Sequence, residues 1–183
     1  MVFMTKSMRK IIVLFFLVSI EYAQCQSNDS IYFHSALNCT STNPAKSIEW
    51  FTIFLNSHPT SIDSYFFRAT AKYMAKDFNG AVQDLTKCLN LLSTNSAGQK
   101  FAADKEGCYV LRATVKYQLD DYRGMISDLD AVILINGLNK DAFYWRGIIK
   151  LAQYNDKSGC LDLSRAGELG EPKAYDEIRK YCN

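Results

Sequence analysis

Histidine and proline are scarce in this chain, with two and three residues among 183, and glycine contributes only nine. His34 and His58 stand far apart, and no cysteines stand at the two-residue spacing typical of zinc sites, so no metal centre is expected. Glycine-rich phosphate loops and the nucleophile elbow are missing too. Paired acids such as Asp120 and Asp121 fall where a turn is expected, and aspartate is common there because its carboxylate accepts backbone hydrogen bonds. Neither catalysis nor a cofactor is therefore expected. So few helix breakers suit a mostly helical chain and put an all-β fold at a disadvantage.

Long apolar runs are lacking as well. The main one, Ile11 to Ile20, is ten residues, too short to cross about 30 Å of hydrocarbon as a helix. Lys6, Arg9 and Lys10 precede it and a polar stretch follows, which predicts an export signal over residues 1–25. Ala23 and Cys25 offer the small residues a signal peptidase needs, leaving Gln26 as the new N-terminus. An uncleaved anchor and lipid attachment at Cys25 are the alternatives, so membrane association stays open, although Gln24 fits lipidation poorly. Cleavage would remove three cations and Glu21, leaving eighteen basic and eighteen acidic residues. With no basic run in the remainder, nucleic-acid binding is not expected. The expected location is the periplasm or outside the cell.

What the chain has in abundance is repetition. SYFFRATAKYMAKDFNGAVQDL from Ser64 aligns without gaps to CYVLRATVKYQLDDYRGMISDL from Cys108 and AFYWRGIIKLAQYNDKSGCLDL from Ala142. Each unit opens on Tyr65, Tyr109 or Phe143, continues through Arg68, Arg112 or Arg146 to a small residue, and then reaches Lys72, Lys116 or Lys150. Each closes on an Asp-Leu pair at Asp84, Asp128 or Asp162. Apolar residues recur at helical spacing in both halves, with the interruption expected at Asp77 to Gly80. A helical hairpin of this kind buries its faces only against neighbours like itself.

The units are offset by 44 and 34 residues, and they resemble the tetratricopeptide repeat (TPR) family in their opening aromatic, the small residue four places on and the small residue starting the second helix. Arginine stands where that family has leucine, lysine where it has tyrosine, and Met125 where it has a small residue. The resemblance implies an all-α, right-handed solenoid. Its expected organisation is a degenerate unit at about 30–60, repeats at about 62–94, 106–139 and 140–170, and a capping helix at 172–182. Gly167 and Gly170 are expected to end the last repeat, and Pro172 to open the cap. RAGELGEPKAYDEI is also similar to the end of a Sel1-like repeat. The ten extra residues of the longer offset predict a loop before Cys108, followed by a backward extension of the next helix from Phe101.

A non-catalytic module that binds a protein or peptide in its groove is what the resemblance implies. The groove faces expected on the first helices are Phe66, Thr70 and Tyr73, then Val110, Thr114 and Tyr117, then Tyr144, Ile148 and Leu151. The repeated charges predict structural ion pairs, Arg68 with Asp84, Arg112 with Asp128 and Arg146 with Asp162. Cys160 and Cys182 lie on helices expected to be antiparallel neighbours and are a candidate disulfide. Cys88 and Cys108 fall where one hairpin meets the next, as a second pair or as small core residues. A different reading takes the cysteines as the function, in thiol redox chemistry or metal binding.

Overall fold

The computed structural model describes residues 31–94 and 104–182, and among these every regular element is a helix. The elements are α1 at 31–39, α2 (Pro44–Ser57), α3 (Ile62–Met74), α4 (Phe78–Thr94), α5 (Lys105–Gln118), α6 (Tyr122–Ile135), α7 (Lys140–Tyr154), α8 (Gly159–Glu168) and α9 (Lys173–Tyr181). The expected export signal lies outside the described residues. No helix among the described residues is long and apolar enough to cross a membrane.

Each helix from α2 onwards packs against the next, and rings of α1 pack on α2, which makes four hairpins among the described residues, α1 with α2 through α7 with α8, followed by α9. The odd-numbered helices form one layer, where α1 meets α3, α3 meets α5, α5 meets α7 and α7 meets α9. This is an α-solenoid of TPR-like hairpins closed by a capping helix. The cores follow the helical spacing of the apolar residues. Ala69, Ala81, Leu85 and Cys88 are buried within one hairpin, and Cys108 and Val115 of the next helix complete that cluster. The first hairpin, lacking the repeat pattern, is held by rings instead: Phe33 lies 5.7 Å from Phe51 and 6.2 Å from Phe67 of α3.

Sequence punctuation explains the helix ends. Asn43 accepts from the Lys46 amide at the start of α2, where Pro44 occupies the first position, whose amide would have no partner anyway. Asp77 and Asp121 do the same for the amides of Gly80 and Gly124, at 2.9 Å each. Phe78, Asn79 and Gly80 therefore belong to the first turn of α4, and the expected interruption contracts to residues 75–77. Helices α3, α5 and α7 each stop at a left-handed residue, Lys76 (φ 63°), Asp120 (φ 56°) and Asn155 (φ 49°). The third stands one place later than the alignment predicts, because α7 runs on through Tyr154 and asparagine tolerates this conformation better than a bulky side chain.

Two further expectations are corrected. Helix α5 begins at Lys105, since Asp104 has extended backbone and caps the Gly107 amide; the expected start at Phe101 lies outside the described residues. Gly167 does not end α8 but sits buried inside it, where a Cβ would come within 2.8 Å of the Tyr175 ring. The end falls to Gly170, whose φ of +92° favours glycine. Glycine matters again where α7 crosses α8. A Cβ on Gly147 would stand 2.8 Å from the Gly159 carbonyl, and one on Gly159 would stand 2.6 Å from the Gly147 carbonyl, so the two backbones meet directly.

Candidate functional site

The repeated charges assemble a unit larger than a pair. In each of the three hairpins from α3 to α8 the arginine donates through Nε and Nη2 to both oxygens of the aspartate: 2.8 and 2.7 Å for Arg68 to Asp84, 3.0 and 2.6 Å for Arg112 to Asp128. Arg146 holds Asp162 in the same way. Lys72, Lys116 and Lys150 add a second cation to the same carboxylates at 2.9, 2.8 and 3.0 Å. The guanidinium lies over the opening aromatic, with centroid distances of 5.5, 5.4 and 5.5 Å to Tyr65, Tyr109 and Phe143. Its remaining nitrogen, Nη1, reaches back to the preceding hairpin, to Thr52 of α2, Thr86 of α4 and Asp130 of α6. Each arginine thus ties its own two helices together and to the unit before.

These groups are buried enough for the ties to matter. Asp128 is 1% exposed, and its hydrogen bond holds the Arg112 guanidinium above its ordinary pKa against the opposing effect of burial. Burial lowers that of Arg146, but the bonds to Asp162 and Asp130 outweigh it. The lysine's place in the cluster was not anticipated from sequence. It registered there only as a departure from the family's tyrosine, although its spacing of twelve residues from the aspartate is constant in all three units.

The expected groove residues divide by hairpin. Val110 and Tyr117 are exposed at 40% and 42%, and together with Thr114 they line a cavity of about 350 Å³ between α5 and α7. Asn139, Asp141, Ala142 and Trp145 of the α7 side close it, and Met125 and Leu129 of α6 form its floor. Phe66 and Tyr73 are half-buried and pack against the cluster shared by α3, α4 and α5, and the Thr70 hydroxyl donates to the Phe66 carbonyl. In the hairpin of α7 and α8 the expectation fails. Leu151 is 6% exposed, and Tyr144 and Ile148 pack with it under α9, because the capping helix lies where the first helix of a fifth hairpin would stand. Burial, with Glu177, Glu171 and Asp176 nearby, pushes the Tyr144 phenol above its ordinary pKa. Trp145, one residue further on and 45% exposed, faces the cavity instead, and its ring centroid lies 6.3 Å from that of Tyr117. An aligned first-helix column named Tyr144; only the position of α9 selects its neighbour.

Cys160 and Cys182 are bridged, with Cα atoms 5.9 Å apart, which fastens α9 to α8. Cys88 and Cys108 are buried free thiols with sulfurs 3.1 Å apart. Their mutual hydrogen bond and burial push the Cys88 thiol above its ordinary pKa. Cys39 is free and partly exposed. No cluster of three or more metal-ligating side chains occurs among the described residues.

No family model matches the chain, and no curated protein does. Solved structures do. MamA from Desulfovibrio magneticus RS-1 superposes with a TM-score of 0.69 at 15% identity, covering 82% of this chain and 81% of that one. YrrB, described as a TPR protein with an unusual peptide-binding site, gives 0.62 at 12% identity over 76% and 67%. A tetratricopeptide repeat protein from Parabacteroides merdae gives 0.68 at 13% identity over 79% and 54%. At these identities the agreement is one of fold, and the fold is that of TPR proteins.

Proposed function

We propose that this chain is an exported, non-catalytic scaffold that binds a segment of a partner protein along its odd-numbered helices. The cavity between α5 and α7 carries the reading. Three residues expected in the groove, Val110, Thr114 and Tyr117, line it with Trp145, and exposed aromatics beside an apolar floor are typical anchors for a partner's side chain. A neighbour in fold whose structure is described by its peptide-binding site supports the same use of the frame. The thiol-based reading gains little, since a redox or metal-binding cysteine needs an accessible, low-pKa thiol and Cys88 is buried with its pKa raised.

A photo-crosslinking residue tests where partners lie. Placed at Tyr117 it is expected to join a discrete partner in living cells, while the same residue at the exposed Lys87 of α4 does not. Equal labelling from both positions, or none from Tyr117, overturns the reading. N-terminal sequencing of the exported chain tests the location, with Gln26 as the expected first residue.

A further inference from the structure

We infer that the cavity between α5 and α7 receives a lysine or arginine side chain from the partner segment; this deepens the groove reading and rests on it. Asp141 is the one charged residue in the lining, and no hydrogen bond or ion pair engages its carboxylate among the described residues. Most other charges nearby are already committed. Lys140 turns to the far side of α7, where its Nζ donates to the Gly170 carbonyl at 3.2 Å and lies 3.6 Å from Glu171. Glu106 accepts from Asn136 and Asn139 at 2.9 and 2.8 Å. Arg112 and Lys116 point inward to Asp128.

An anionic occupant is poorly served. The amide of Ala142 at the start of α7 is taken by Asn139 Oδ1 at 2.9 Å, and the carboxylate of Asp141 repels a second negative charge. A cation meets the opposite conditions. Val110, Ala113, Met125, Leu129 and Ala142 give an apolar sleeve for the methylene stem of lysine or arginine. At the mouth the head group meets Asp141 and the faces of Tyr117 and Trp145, whose planes are inclined at 51°. Aromatic faces attract a cation within about 6 Å of the ring centre. The cavity's volume, at the low end of the roughly 300–1,000 Å³ of ligand pockets, suits a single long side chain better than a folded surface.

The test selects a random twelve-residue peptide library against protein purified after expression of the full chain, then measures synthetic copies of the winners by fluorescence anisotropy. Winners are expected to share a lysine or arginine. Asp141→Asn should weaken them roughly fivefold, as a partly exposed ion pair would. Copies in which norleucine replaces lysine, or citrulline replaces arginine, should bind more weakly and no longer respond to Asp141→Asn. Winners that lose binding in Trp145→Ala yet lack a basic residue, or ignore Asp141→Asn, overturn the inference and leave the groove reading standing. Should no winner respond to Trp145→Ala or Tyr117→Ala, both fail.

Discussion

Removing the aspartate from one charge cluster should be among the most damaging single changes available to this chain. In Asp128→Ala the carboxylate that accepts from Arg112 at 3.0 and 2.6 Å and lies 2.8 Å from Lys116 disappears. Two cations, with side chains 16% and 15% exposed, are then left without an anion. Each keeps one neutral acceptor, Thr86 Oγ1 for Arg112 and the Gly124 carbonyl for Lys116, both at 3.1 Å. Breaking a buried pair by removing one partner costs about 3–5 kcal/mol. The second stranded cation pushes towards the upper end, and the freedom of both long stems to bend towards water pulls back. The expected loss is about 4 kcal/mol, or roughly 8–16 °C in Tm for a chain of this size. Urea unfolding followed by circular dichroism measures it. Arg112→Leu supplies the control, because Asp128 keeps Lys116 there. The double variant should be more stable than the sum of the two losses predicts by more than about 1 kcal/mol. An unmoved midpoint in Asp128→Ala, or two losses that simply add, would refute the reasoning.

Other perturbations separate the remaining features. Cys160→Ser opens a loop of 22 residues and should cost about 3 kcal/mol, read as a lower midpoint that a reductant lowers no further. Gly159→Ala drives a methyl group against the Gly147 carbonyl and should destabilise by about 1–3 kcal/mol in thermal melts, whereas Gly137→Ala, with only open space or ordinary contact around it, should not. The raised pKa of Tyr144 means that its contribution to stability is complete below the ordinary phenol value near 10 and is lost as pH rises towards the folded value. Wild-type protein should therefore lose more stability than Tyr144→Phe between pH 9 and 11, and parallel curves would contradict this.

The fold could be read from sequence because the repeats align without gaps, and a fixed separation of sixteen residues carries each arginine to its aspartate. Apart from the lysine of each cluster, which meets the aspartate of its own hairpin, what escaped depends on a neighbouring unit. The third arm of each arginine spans 16, 26 and 16 residues, so no single spacing reveals it. Leu151 has the same place in its helix as Tyr117, yet one is covered and the other open, because different helices lie beside them. Trp145 escaped for a related reason, as two adjacent positions of a first helix can both turn towards the cavity and packing decides between them. Position within a unit was for the most part legible, and position within the stack was not.

The arm from Arg112 to Thr86 has a separate consequence. It joins α5 to α4 directly, as does the contact between Cys88 and Cys108, and neither passes through residues 95–103. Side chains of α4 and α5 themselves therefore hold the two helices in register. A chain severed there would leave two fragments whose mating surfaces are already shaped for each other, with a guanidinium on one and its hydroxyl acceptor on the other. The same contacts predict that a change in the length of the connection leaves the register of α4 and α5 unaltered.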